Sequence, residues 1–389
     1  MAGMRRWTAT LTILAAAFAL AACSTTHPAG AARAVPLVRA SEPGTITAVS
    51  ATATAGTAGA RTAIPSRLVG PGWMLIQYSY APPGYGVPPD GGPGDAMTLD
   101  LISPDGTRYP IASWPDNVTA PGLMYWSPDG TRALLSTYQS SNGTVTYQQI
   151  TLATGVVRPL KLPSGWYPIG YTTPDGLNIV AKRGGDLARF DPGGHRQRML
   201  GSGDGILYTP DGTAFVTGTR HDLKLVSNAG TLIRSLPVPS TATGSCLPVR
   251  WWTASTVLAN CTSGSGYPSG LWLVPADGQP PTAVSTPAGP PVTGAWQFGG
   301  DRYFQCYGAS DYPCLIRQAT NGKATQMTVA GASGYILDQS ATGLLIQTMP
   351  ANAQSGGLLW YDPVTGAERW LARGPAGIEG VTGAIPFGT

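Results

Sequence analysis

With 389 residues, 52 of them Gly and 36 Pro, 11% charged and 42% apolar, the chain has the composition of a turn-rich β protein with ample core material. That composition argues against long helices, while the length alone leaves the domain count undecided. The net charge of +4 shrinks further once Arg5 and Arg6 are removed with the first segment, a balance too small for a nucleic-acid partner.

The first segment, residues 1–22, reads as a secretory signal: a basic start at Arg5 and Arg6, an apolar run from Leu11 to Leu20 too short to span a bilayer, and small residues before the cut. Leu20-Ala21-Ala22-Cys23 resembles the bacterial lipobox, which implies that the Cys23 thiol receives a diacylglyceryl group and becomes the first residue of the mature chain. Two acyl chains suffice for stable anchoring. The expected location is therefore the extracytoplasmic face of the cell membrane, held by lipid. Residues 23–62 are dominated by Ala, Thr, Gly, Ser and Pro without periodicity, the composition of a tether. No separate N-terminal domain is expected, and residues 63–389 form the single folded domain.

Within that domain the string Ser-Pro-Asp-Gly-Thr-Arg occurs at Ser103–Arg108 and again at Ser127–Arg132, with echoes at Thr173–Leu177 and Thr209–Thr213. These are β-turns by chemistry: Pro presets φ, Asp closes a local hydrogen bond, and Gly accepts positive φ. A second series of turns ends at Gly106, Gly155, Gly193, Gly230, Gly278, Gly322 and Gly366, separated by 49, 38, 37, 48, 44 and 44 residues. A mean spacing of about 43 residues is the period of a four-stranded propeller blade. The unit from Leu123 to Leu160 illustrates it: a strand into Trp126, the Ser127–Gly130 turn, a strand from Arg132 to Tyr138, a polar loop, a strand from Thr144 to Leu152, the Thr154-Gly155 turn, and a strand from Val156 to Leu160. The expectation is an all-β, single propeller of seven blades, each of four antiparallel strands A to D. Either Ile64–Gly70 or Val381–Phe387 supplies the innermost strand of blade one, and the C-terminal clasp is preferred because it covers an unpaired edge.

Trp126-Ser127-Pro128-Asp129-Gly130 before an apolar strand, with the later segment Gly270–Gly278, resembles the TolB-like propeller repeat of bacterial envelope proteins. It is also similar to the propellers of prolyl-oligopeptidase-type enzymes. The likeness covers about Ile64 to Thr389 and implies a fold more than a function. Blade five departs from it, with Trp252-Thr253-Ala254-Ser255 in place of the turn motif, and blades six and seven lack the motif too.

Four cysteines remain besides Cys23. An even number outside the cytoplasm points to two disulfides, and the local pairing, Cys246 with Cys261 and Cys306 with Cys314, is preferred among three because each pair flanks a hairpin. No CxxC spacing or neighbouring His supports metal binding, and no metal or other cofactor is expected.

In such a blade the A–B and C–D turns share one face of the disk and the longer B–C and D–A connections share the other. The loop face is the candidate binding face. It collects aromatic residues suited to a partner protein, a glycan or a peptide: Tyr80, Tyr85, Trp114, Tyr138, Trp166, Tyr267, Tyr307 and Tyr312, with Asp311. Many aromatics in such positions pack blade to blade instead. Catalysis finds no support: there is no GxSxG elbow, Glu is confined to Glu42, Glu368 and Glu379, and His195 and His221 have no nucleophile beside them. The chain is therefore expected to be a monomeric, non-enzymatic scaffold for an envelope or membrane protein, or alternatively a receptor for cell-wall glycan or peptide ligands. A hydrolase is the least favoured reading, for which Asp95, Asp116, Asp204 and Asp311 are the carboxylates able to reach the loop face.

Overall fold

The computed structural model describes residue 64 and residues 69–80, 96–114, 121–139, 143–219, 222–262, 268–307, 313–340, 342–349, 356–373 and 380–388. Their strands form seven four-stranded antiparallel sheets and no helix, as the repeat predicts. Blade one takes strand A from the C-terminus, Val381–Pro386, and continues with Met74–Tyr80, Ala96–Ile102 and Arg108–Trp114. Blade two is Gly122–Trp126, Arg132–Gln139, Thr144–Thr151 and Val156–Pro159; blade three is Tyr167–Tyr171, Ile179–Arg183, Asp186–Phe190 and Arg196–Ser202. Blade four is Leu207–Tyr208, Ala214–Gly218, Leu223–Ser227 and Leu232–Leu236; blade five is Cys246–Thr253, Thr256–Thr262, Pro268–Pro275 and Thr282–Ala283. Blades six and seven are Val292–Phe298, Asp301–Tyr307, Pro313–Gln318, Ala324–Met327, and Ser333–Gln339, Leu344–Met349, Gly357–Tyr361, Glu368–Arg373.

The two closure alternatives resolve in favour of the clasp. Val381 pairs with Tyr78 and Pro386 with Met74, so the ends of the ring share one sheet and blade one has no open inner edge. Phe387 then stacks edge-on against Trp126 of blade two, 5.1 Å between ring centres.

Side chains alternate across each strand, so every blade has two apolar faces and must cover both. Leu75, Leu99 and Leu101 of blade one pack on Trp126, Leu135 and Ile150 of blade two, while Met74 and Ile76 pack the other way on Leu345, Leu358 and Leu371 of blade seven. Each remaining junction has its own cluster, such as Leu134 with Ile179, Val180 with Phe215, Val216 with Trp251, Leu258 with Phe304, and Leu315 with Ile346. Each such side chain gains about 1.5–3 kcal/mol from burial, which is why the blades require the ring.

The turns are built as their chemistry dictates. Ser127 Oγ donates to Asp129 Oδ1 (2.5 Å), which accepts Thr131 N–H (3.1 Å), while Ser127 Oγ accepts Arg132 N–H (2.9 Å). Thr172 with Asp175 and Thr209 with Asp211 repeat the pattern. All seven C–D turns fall where the glycine series places them. In blade three the left-handed residue is Gly194 (φ 87°), one position after Gly193. Where blade six lacks the motif, Gly299 and Gly300 (φ 57° and 92°) make the A–B hairpin, a two-residue turn whose twist matches the strands.

Candidate functional site

The two faces of the disk differ in how much of their polar chemistry is already used. On the turn face, neighbouring blades tie their turns together. Arg132 donates to Gly176 O (2.6 Å), Asn228 donates to Thr173 O and Gly212 O (both 2.7 Å), and Arg369 donates to Pro104 O (3.2 Å). Hydrogen bonds from the Ser103 hydroxyl and the Thr107 N–H hold the Asp105 carboxyl below its ordinary range; those from Thr209 and Thr213 do the same for Asp211. At Asp129 burial works against ionisation, but Ser127, Thr131 and Arg132 together outweigh it and the carboxyl is again lowered.

On the loop face the described aromatic groups differ in how far they are engaged. Tyr138, at the loop-face end of strand B in blade two, is 61% exposed. Tyr307, at the equivalent end in blade six, is half-buried and lies against Tyr335 of blade seven; burial, with Tyr307 adding to it, pushes the Tyr335 phenol up to about 12. Two of the sequence candidates are otherwise placed. Trp166 is buried, not displayed: it packs edge-on to Phe190 (5.1 Å) under the Arg183 guanidinium (5.0 Å). Trp114 is half-buried against the cluster between blades one and two. An indole at either position removes apolar area from water, and packing takes precedence over display. Tyr80 ends strand B of blade one, paired with Ala96. Cys23, Tyr85, Tyr267, Asp311 and Tyr312 lie outside the described residues, as do Asp95, Asp116 and His221. Asp204 reaches the loop face and pairs with Lys182 (2.5 Å).

Both disulfides have the expected local pairing, Cys246–Cys261 and Cys306–Cys314. Each joins directly opposed residues of adjacent strands at the loop-face end of blades five and six. They brace the two blades whose B–C connections carry Tyr267, Asp311 and Tyr312.

A polar cluster on the innermost strands escaped the sequence reading. Arg250 of blade five is buried, donates to Ala295 O of blade six (3.1 Å) and reaches Gln339 Oε1 of blade seven (3.5 Å); Gln339 in turn donates to Gln297 O (2.6 Å). The guanidinium lies over Trp252 and Trp296, at 5.8 and 5.6 Å. Beside it, burial pushes the Asp338 carboxyl up to about 6, against the pull of Gln339 N–H and Arg250. Two glutamines one strand further out act as staples. Gln77 donates to Pro121 O (2.5 Å) and accepts from Leu123 N (2.9 Å), tying blade one to strand A of blade two. Gln347 donates to Val381 O (3.2 Å), tying blade seven to the clasp. The available signal was a polar residue inside an apolar run, as in Leu247-Pro248-Val249-Arg250-Trp251-Trp252. Among the described residues no group of three metal-ligating side chains occurs.

No protein-family model and no curated protein matches the chain. Solved structures do. The propeller domain of the trilobed protease from Pyrococcus furiosus is 13% identical with a TM-score of 0.48, over 76% of this chain and 98% of that one. Acylaminoacyl peptidase from Pyrococcus horikoshii is 14% identical (TM-score 0.46; 76% of this chain, 50% of that), and TolB from Acinetobacter baumannii is 15% identical (TM-score 0.43; 81% and 66%). The chain thus spans about half the length of the acylaminoacyl peptidase. The expectation of a non-enzymatic chain is not kept: the solved structures similar to this chain include peptidases, and identities of 13–15% show the fold and assign no activity. With its seven four-stranded blades closed by the C-terminal strand, the chain is a seven-bladed β-propeller.

Proposed function

We propose that the chain is an exported lipoprotein, acylated at Cys23 and held at the outer face of the cytoplasmic membrane, whose propeller is a protein-interaction scaffold of the cell envelope. Residues 1–22 act as the signal and 23–62 as the tether. The loop face takes the partner. The observation that carries this reading is the contrast between faces: the turn face spends its polar groups on blade-to-blade bonds, whereas Tyr138 stands 61% exposed at the opposite edge. A tyrosine so displayed offers contact area at small entropic cost.

The test is crosslinking and affinity recovery from intact cells, comparing the wild-type chain with Tyr138→Ala/Tyr307→Ala. Loss of a membrane-protein partner in the variant supports the scaffold. Recovery of wall glycan alone moves the assignment to a receptor, and unchanged capture means that the loop face is not the binding face. Intact mass of the mature chain reads acylation at Cys23 separately.

A further inference from the structure

The outer D strands differ sharply around the ring. In blades two, three and four they carry Val156, Val157, Met199, Leu232 and Ile233 exposed to solvent, Leu232 and Ile233 at 52% and 53%. Apolar side chains displayed this freely on consecutive blades form a patch, in contrast to single scattered residues. Between them stand Arg158, Arg196 and Arg198, all exposed and with no side-chain ion pair or hydrogen bond among the described residues, and Arg234, which reaches Asp277 O. These three strands contain no Asp or Glu. Asp191, in the turn before the blade-three strand, is engaged by His195 and Gln197. Elsewhere the rim is different: Arg108 of blade one is paired with Asp100, and the D strands of blades five and six carry no large exposed apolar residue.

Strand D runs from the turn face toward the loop face, so the residues that open each strand lie at the turn-face edge. The chain enters the propeller on the same side: a Cβ at Gly130, in the A–B turn of blade two, would lie 3.0 Å from Val69. Apolar side chains interspersed with unpaired arginines, on strands without Asp or Glu and beside the tether's point of entry, complement an anionic lipid surface. The carboxylates of Asp129, Asp175, Asp191 and Asp211 in the adjoining turns are each taken up by local hydrogen bonds. We propose that the turn-face edge of blades two to four docks on anionic lipid and leaves the loop face turned away from the membrane. This deepens the anchored reading, on which the proximity of the membrane rests.

The test is co-sedimentation of the chain carrying Cys23→Ser with vesicles of phosphatidylcholine mixed with phosphatidylglycerol, against phosphatidylcholine alone. Binding to the mixed vesicles only, weakened by salt, is expected. Each arginine near such a surface contributes about fivefold, so Arg158→Gln/Arg196→Gln/Arg198→Gln lowers the partition on the order of 100-fold. Leu232→Ser/Ile233→Ser weakens binding without removing its salt dependence, and thermal unfolding confirms that both variants fold. Equal affinity for the two vesicles, no binding to either, an unchanged triple variant, or a preference for polyglutamate over vesicles would each overturn the proposal. Mass analysis of wild-type Cys23 separates the two failures: an unmodified thiol removes the anchor and leaves the vesicle result standing.

Discussion

Replacing Asp338 by Asn removes a charge that the innermost strand of blade seven holds unwillingly. Its carboxyl is raised from an ordinary 3.8 to about 6, chiefly by burial. A raised folded value means that the folded protein binds the proton more tightly than the unfolded chain. The group therefore contributes stability below 3.8, and loses it as pH rises through 6. The full displacement corresponds to about 3 kcal/mol at 1.36 kcal/mol per pH unit. Partial solvent contact on the inner strand brings this to about 1–2 kcal/mol. Urea unfolding of wild type and Asp338→Asn, with disulfides intact, should find the variant more stable by that amount at pH 8. The gap should narrow below pH 6 and close toward pH 4. A variant no more stable at pH 8, or a gap independent of pH, would refute burial as the dominant effect and show that the hydrogen bond from Gln339 N–H and the nearby charge of Arg250 outweigh it.

Three other outcomes follow from the same physics. Gln347→Ala leaves Val381 O without its donor and should cost about 1–3 kcal/mol in urea unfolding, with faster hydrogen exchange along strand A of blade one as the clasp loosens. Removing the Cys246–Cys261 bridge by Cys246→Ser/Cys261→Ser releases a 15-residue separation and should lower stability by about 3 kcal/mol; an unchanged unfolding midpoint would show that the paired strands need no staple. At the acid end, the lowered carboxyls of Asp105, Asp129 and Asp211 contribute stability above their ordinary value of 3.8 and lose it as pH falls through their lower folded values. Thermal midpoints should therefore drop below pH 4, and Asp129→Asn should drop less steeply.

Fold was legible because it is local and repeated. An A–B turn needs Pro, Asp and Gly at fixed positions, and the seven glycines of the second turn series, at propeller spacing, announce seven blades without any knowledge of how the blades meet. The cysteine pairing was legible for the same reason, since each bridge spans a single hairpin. Which aromatic groups pack and which stand free was not. Trp166 and Tyr138 look alike in sequence, each beside a polar loop; one is closed over by Phe190 and Arg183, and the other stays exposed near the loop-face end of its strand. Burial depends on what the neighbouring blade places opposite, and that is information about another part of the chain.

The sequence by itself thus determines the repeat unit, its turns and its count of strands, because these depend on residues close together in the chain. Only the tertiary structure decides that Val381–Pro386 rather than Ile64–Gly70 completes blade one, since closure is a contest between two distant segments for one strand edge. It alone gathers Arg250, Gln297, Asp338 and Gln339 onto the innermost strands of three blades, and Arg158, Arg196, Arg198 and Arg234 onto one arc of the rim. Residues one blade apart in sequence become neighbours only because apolar sheets with two faces to cover must stack into a ring.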